Sequence, residues 1–384
     1  MSQGVIIAGA GLGGLVAALA LQRAGVPVKV YERATELGEV GAGISLAPNA
    51  TRVLIALGLR DDMEYIANSP DAMGRKHWAT GEIIALDAAP EYEATYGAPY
   101  WQVHRADLHA LLVGAVRAND PAAIALNKEL VSFADDGDGV MATFADGTSA
   151  SGAVLIGCDG LKSVVRAQLW NPGAPHYLGY VAYRGLTPVD RLPPGLITPA
   201  SANGHGAGTH MTRYLIRKGK TVNYVGFARR SDWIDDGWHV TATIDEVLQS
   251  FDGWNEEFRL IIANTEQGRC HKWGMFGRPP MAQWSRGRVT LLGDAAHPML
   301  PFLGQGVSMA IEDSIVLARA LTDHGLDADA LAAYETVRRP RANEIVERSA
   351  ARAEVTFQVS DASKNMRAGL PPDIFGYDAL TVPV

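Results

Sequence analysis

Three short runs of glycine and carboxylate hold the residue types from which nucleotide chemistry is built. The first is Gly9-Ala10-Gly11-Leu12-Gly13-Gly14, in which Gly9, Gly11 and Gly14 fit G-x-G-x-x-G. Such a pattern suits a pyrophosphate. One glycine makes the tight turn, one leaves bare backbone for the phosphates, and one lets the following helix sit close to the preceding strand. The helix then turns its unpaired N–H groups and positive dipole end toward the anion. Glu32 stands eighteen residues after Gly14, at the end of a second predicted strand. A carboxylate there can accept both hydroxyls of an adenosine ribose. These residues specify an ADP half and do not separate NAD from FAD.

The second run is Gly157-Cys158-Asp159-Gly160, with Arg166 downstream. Asp159 either meets a ligand at the C-terminal end of a strand or caps a helix beginning near Lys162. The residues alone leave both open. The third run is Gly293-Asp294-Ala295-Ala296-His297-Pro298, followed by Pro301 and Gly304-Gln305-Gly306. Asp294 ends a buried stretch, where a carboxylate can hold a ribityl hydroxyl. Gly304 and Gly306 let a flat ring approach the backbone. A helix opening at Gly306 points its positive end at that ring and favours the negative charge that two-electron reduction of a flavin leaves near N1. His297, held in a turn by Pro298, reads as structural.

Each run needs a strand before it and a helix after it. Gly4–Ala8 reads as a strand buried on both faces, Gly11–Ala24 as a helix closed by Gly25, and Pro27–Tyr31 as a second strand. Helices are predicted over Asn49–Leu57 and over Ala106–Ala118, introduced by Arg105. Strands follow at Val140–Phe144, Val154–Cys158 and Arg288–Leu292, and long helices at Gly306–Thr322 and Ala328–Ala353. Between about Gly179 and Arg230 the pattern changes to alternating strands and turns. There, His210–Ile216 and Thr221–Ala228 form a hairpin around Arg217-Lys218-Gly219-Lys220. Helices return at Thr243–Phe251 and Asn255–Asn264. The Pro/Gly-punctuated last thirty residues are expected to wrap the surface. α/β material thus lies at both ends of the chain with β-rich material inserted.

Composition narrows the partners. The 384 residues are 47% hydrophobic and 20% charged, with net charge −8. An acidic chain without a Lys/Arg run is a poor nucleic-acid partner. Two cysteines, Cys158 and Cys270, make neither a disulfide framework nor a metal cluster, and they suit a reducing cytoplasm. The charge-free run Val5–Leu21 is short for a membrane span and too glycine-rich for a signal peptide.

Together and in this order, the runs resemble the flavoprotein aromatic hydroxylases. These are the single-component FAD monooxygenases typified by para-hydroxybenzoate hydroxylase, and the salicylate, 3-hydroxybenzoate and 6-hydroxynicotinate enzymes are most similar. Gly41-Ala42-Gly43-Ile44, His104-Arg105-Ala106-Asp107-Leu108, Tyr183-Arg184-Gly185 and Glu312-Asp313 carry the resemblance further. It implies a Rossmann-type, glutathione reductase-like α/β FAD-binding domain with an inserted β-rich α+β substrate domain and C-terminal helices. Residues 1–75, 102–178 and 270–384 would form the first, and 76–101 with 179–269 the second. It also implies FAD contacts by Glu32 with the adjoining Arg33, Gly43, Arg105, Asp159, Gly160, Asp294, Pro301, Gly304 and Gly306, besides the glycine loop. NAD(P)H, molecular oxygen and a small hydroxylated aromatic acid would complete the reaction, through a flavin C4a-hydroperoxide.

On the substrate side, the resemblance points to His210 and Tyr214. Four apart on a strand, they share one face with Thr212 and Ile216, while Arg213 falls on the other. His can act as a base and Tyr as a donor or relay; a bare sheet face is the alternative. Ser45 and Phe302 occupy substrate-side positions at which the most similar enzymes carry other residues, and Pro301 departs likewise. No cation for a substrate carboxylate is evident. A flavin reductase on the same fold and a non-catalytic flavin-binding protein remain open, as does oligomeric state, including a homodimer.

Overall fold

The structure is a computed structural model that describes residues 4–38, 42–88, 90–171, 173–206, 208–231, 233, 240–358 and 372–384. Val5–Ala8 lies at the centre of a five-stranded parallel sheet. Its order is Val289–Leu291, Val154–Gly157, Val5–Ala8, Val28–Tyr31, Ile124–Ala125. The helix Leu12–Arg23 packs between Arg105–Asn119 and Gly306–His324. Leu12 and Gly14–Leu21 are all buried, which explains an apolar run that is not one-sided. No described helix is long and apolar enough to cross a membrane. The predicted strand Val140–Phe144 is the middle of a three-stranded antiparallel sheet, and its burial alternates as a one-sided strand requires.

The second half is an eight-stranded sheet. Its order is Val240–Thr241, His271–Gly277, His176–Pro188, Thr221–Arg229, Thr209–Ile216, Ser201–Gly206, Ala72–His77, Ile83–Ala88. All pairs are antiparallel except Ser201–Gly206 with Ala72–His77. The expected hairpin is present, each arm one residue longer than its pattern. Arg217 and Lys218 adopt φ of +52° and +57° to turn it. Strands such as Ser201–Gly206 carry no pattern to find. With two glycines and no β-branched residue, that segment forms because both neighbours supply ladder partners. One face of the sheet packs on Ile244–Ser250 and Glu256–Ala263 through Phe251, Phe258 and Ile261. The other face packs with Leu300, Phe302 and Phe357 into an aromatic cluster, an apolar chamber wall. The ribbon Gly43–Leu46 with Trp101–His104 links the halves where Gly43 N–H donates to Asn223 Oδ1 at 2.7 Å.

Residues 359–371 lie outside the described residues, and the described remainder of the C-terminal segment corrects the expectation of a surface wrap. Ala328–Gln358 runs five residues further than expected, and residues 372–384 are docked rather than draped. Phe375 is buried edge-on to Tyr92, Tyr96 and Tyr100, with ring centroids 5.5, 5.6 and 6.2 Å away. Arg341, Arg52 and Arg319 donate to the carbonyls of Ile374, Tyr377 and Ala379. Arginines from three helices thereby satisfy a backbone that has little regular structure of its own. Phe375→Ala should therefore destabilise the protein by about 3–5 kcal/mol, as for other buried phenylalanines. Urea unfolding measures this, and an unchanged midpoint would mean that the segment is peripheral.

Candidate active site

Four adjacent parallel strands end at one edge, and each delivers a predicted residue there. After Ala8, Gly9 adopts φ +106°, and a Cβ on it would lie 2.5 Å from Cys158 O. A Cβ on Gly14 would lie 2.1 Å from Gly9 O, whereas nothing stands within 4 Å of one on Gly11. Two glycines are thus required by packing within the protein, while the third opens into free space. Glu32, after the neighbouring strand, accepts from Ala10 N at 2.7 Å and from Ala34 N at 2.9 Å, which fixes its carboxylate at the glycine loop. Arg33 beside it is exposed.

On the other side, Asp159 caps a helix with one oxygen and leaves the other without a protein partner. Oδ2 accepts from Val164 N at 2.7 Å and Val165 N at 3.1 Å, capping the helix Val164–Trp170. Oδ1 is buried without a protein partner, and burial raises the carboxyl above its ordinary range. Gly160 turns with φ +76° into open space. Arg166 donates to Ala295 O at 3.1 Å, and burial lowers its guanidinium to about 10. Asp294 reaches solvent, but from a recess walled by Leu161, Trp273, Gly274, Met275, Phe276, Pro298 and Met299. The surrounding protein pushes its carboxyl upward, and the charges of His297 and Arg105 offset this in part. Arg105, the first residue of its helix, is thus brought beside Asp294 from far away in the chain. Pro301 is exposed in a single turn of 3₁₀ helix. Gly304 (φ +63°) opens to space ahead of the nineteen-residue helix that starts at Gly306.

A buried ion network lies under this edge. Asp313 accepts from His297 Nε2 at 2.5 Å, Arg338 Nε at 2.9 Å and Gly293 N at 3.2 Å. Burial pushes its carboxyl up, but His297 and Arg338 outweigh that and hold it below the usual range. Glu312 accepts from Asn49 at 2.6 Å and from Arg341 at 2.7 and 2.9 Å; Asn49 also donates to Gln305 at 3.0 Å. His297 is accordingly structural. Asn49, Gln305, Arg338 and Arg341 were missed from sequence. The available signal was the adjacent pair Glu312-Asp313 in an apolar helix, which has to find cations.

Of the residues predicted on the substrate side, His210 and Phe302 lie in the aromatic cluster, and Tyr214 and Ser45 lie apart from it. His210 stacks with Phe227 at 5.9 Å and lies 4.3 Å from the His205 ring and 6.1 Å from Phe302. Its Nδ1 is 3.0 Å from Gly204 O, a pure acceptor, so Nδ1 carries the proton and Nε2 accepts from Thr212 Oγ1 at 3.1 Å. Burial lowers His210 to about 4, so it is a neutral hydrogen-bond acceptor rather than a base poised near neutrality. Tyr214 is buried where a Cβ on Gly43 would fall, 2.6 Å from its ring. Burial raises the Tyr214 and Tyr100 phenols, and the nearby Ser45 opposes this in part. Arg213 points to the opposite face and pairs with Glu257, Nε to Oε1 at 2.7 Å. Gly41 lies outside the described residues.

A bare-backbone opening at Gly11, an orphaned buried oxygen on Asp159, open left-handed glycines at 160 and 304, and two helix N-termini on one sheet edge all fit FAD. They define an FAD-binding protein, and the relatives narrow the class to the FAD-dependent monooxygenases. The chain belongs to the family described as FAD binding domain, which matches residues 2–180 and 209–349. It is 35% identical to 6-hydroxynicotinate 3-monooxygenase of Pseudomonas fluorescens, over 99% of this chain and 96% of that one. It is 38% identical to 3-hydroxybenzoate 6-hydroxylase 1 of Aquipseudomonas alcaligenes, over 89% and 85%. Among solved structures, a salicylate hydroxylase substrate complex superposes with TM-score 0.83 at 26% identity, covering 98% and 96%. HpxO of Klebsiella pneumoniae with FAD and uric acid gives 0.83 at 27%, covering 94% and 90%.

The glycine geometry separates two outcomes. Gly11→Ala should fold as the wild type but lose FAD, because the added methyl meets only the ligand's space. Gly14→Ala should lose stability itself, by about 1–3 kcal/mol from overpacking. Thermal melts of apoprotein with flavin retention check both, and a Gly11→Ala protein that keeps FAD would move the pyrophosphate elsewhere. His210 sets a pH dependence. Its folded value of about 4 lies below an unfolded value of about 6.5, so the unfolded chain binds more protons between them and stability falls as pH drops through that window. His210→Gln should flatten the decline, by about 2 kcal/mol at pH 5. Urea titrations at pH 7 and pH 5 would contradict this by showing equal losses.

Proposed function

We propose that the protein is an NAD(P)H- and FAD-dependent hydroxylase of a small hydroxylated aromatic acid, a hydroxybenzoate, salicylate or hydroxynicotinate-like ring. One observation carries this reading. Trp273 and Met275 wall both the Asp294 recess and the aromatic chamber that holds His210, so a ring in the chamber is next to the nucleotide edge. The substrates named for two of the similar monooxygenases, 6-hydroxynicotinate and 3-hydroxybenzoate, are small ring acids. In this reading residues 1–75, 102–178 and 270–384 serve FAD, and 76–101 with 179–269 serve the substrate.

Bound FAD supplies two-electron reduction by NAD(P)H and delivery of one oxygen atom from molecular oxygen. Glu32 and the Gly9–Gly14 loop hold its ADP half; Arg105, Asp159 and Asp294 hold the remainder. Overall, substrate, NAD(P)H, a proton and oxygen give the hydroxylated ring, NAD(P)⁺ and water. The protein's part is to ready the ring. His210 is neutral and its Nε2 lone pair meets only the Thr212 hydroxyl, which can rotate away. Nε2 then accepts a hydrogen bond from the ring hydroxyl, raising electron density on the carbons ortho and para to it. Tyr214, held protonated by burial, donates to the ring substituent. Tyr180, Phe227, Phe302 and Phe357 exclude water from the chamber.

Hydroxybenzoates and hydroxypyridine carboxylates screened for stimulated NAD(P)H oxidation should include at least one that yields a product heavier by one oxygen atom. On that substrate His210→Ala should keep FAD and lose about 10²–10⁴-fold in rate. Tyr214→Phe should send a larger share of the oxygen to hydrogen peroxide. A panel without a stimulating acid, or both variants at wild-type turnover and coupling, would refute the assignment.

A further inference from the structure

The helix Ala328–Gln358 lays one face over the aromatic chamber. Ser349 donates to Leu300 O. Phe357 meets Phe302 edge-on at 5.4 Å and stacks on Tyr180 at 4.5 Å. Arg352 follows Ser349 by three residues and precedes the buried Thr356 by four, so it shares that face. Its side chain is half-buried. Among the described residues no carboxylate pairs with it and no acceptor holds it. Arg213, by contrast, has Glu257, Arg338 has Glu312 and Asp313, and Arg166 donates to Ala295 O.

Its surroundings are cationic or neutral. Arg352 lies close enough to His205 and His210 to disfavour their protonation, and Arg75 close enough to disfavour the charge on Arg352 itself. Arg75 is already neutralised by Asp87, with Nη2 to Oδ1 at 3.0 Å. The chamber therefore has aromatic walls, two neutral imidazoles and one guanidinium with no counter-ion. Removing a guanidinium from water without a partner is unfavourable, and a planar carboxylate meeting its fork restores the balance. Arg213, the cation nearest in sequence to His210, is on the far face and already paired.

We propose that Arg352 selects the substrate's carboxylate: its guanidinium clamps the acid group of the ring while His210 receives the ring hydroxyl. This rests on the hydroxylase reading and assigns the substrate cation that the sequence left unplaced. It makes Arg352 a specificity residue, contacting a part of the substrate that does not react.

The test compares wild-type holoenzyme with Arg352→Met and Arg352→Lys. Each is titrated with 3-hydroxybenzoate and 6-hydroxynicotinate and with the corresponding neutral carboxamides. Binding is read from perturbation of the oxidised flavin spectrum without NAD(P)H, and flavin content and circular dichroism report folding. Arg352→Met should weaken the acid that wild type binds by about ten- to hundred-fold, the loss of a charged hydrogen-bonded pair, and leave its carboxamide nearly unchanged. Arg352→Lys should fall between, and KM should move more than kcat. Wild-type affinity for the acid in Arg352→Met, or equal losses of acid and carboxamide, would overturn the proposal. So would a wild-type enzyme that hydroxylates acid and carboxamide equally well, although the hydroxylase reading would then stand. A wild-type holoenzyme that hydroxylates neither overturns both.

Discussion

Two adjacent carboxylates, Glu312 and Asp313, are fully buried in the helix Gly306–His324, and much of the molecule is arranged to make that tolerable. An uncompensated buried charge costs several kcal/mol. Arg338 and Arg341 therefore come in from the following helix, His297 from the loop after Val289–Leu291, and Asn49 from the helix after the linking ribbon. Each partner carries a piece of the site with it. Asp313 also holds Gly293 N, and so sets the turn that presents Asp294. Asn49 ties Gln305 in place just ahead of the helix N-terminus at Gly306. Arg341 reaches on to Ile374 and lies 3.8 Å over the Tyr377 ring, which docks the C-terminal segment.

The network explains why the nucleotide edge can be open yet rigid. An edge that binds a large anionic cofactor must leave donors, glycines and carboxylates without protein partners, as at Gly11, Gly304 and Asp159 Oδ1. Such groups do not stabilise the apoprotein. The interactions that do lie one layer deeper, in the ion network and in the apolar helix Leu12–Arg23.

The chamber follows the opposite logic. Its walls are aromatic and its titratable groups are held neutral by burial, as His205 and His210 are. On the proposed function, hydroxylation would gain from this, because apolar surroundings strengthen each remaining polar contact with a ring and limit water-assisted side reactions. Acid sensitivity of the fold is the physical cost of holding those imidazoles uncharged.

The parallel sheet and its ligand edge were legible in sequence because their signals are local. Buried parallel strands read as continuous apolar runs, the glycine loop needs its residues at fixed spacing, and Asp159 and Asp294 each follow such a strand directly. The hairpin that places His210 and Tyr214 on one face was legible for the same reason. What only the tertiary structure decided depends on partners far apart in the chain. Ser201–Gly206 is a strand because of its neighbours. Phe375 is core because three tyrosines meet it. Arg105 comes within electrostatic reach of Asp294, and Arg352 of His210, across separations that no periodicity encodes. The ionisation of His210 belongs to this second group: a sequence names an imidazole, but the aromatic walls packed around it determine that it stays neutral.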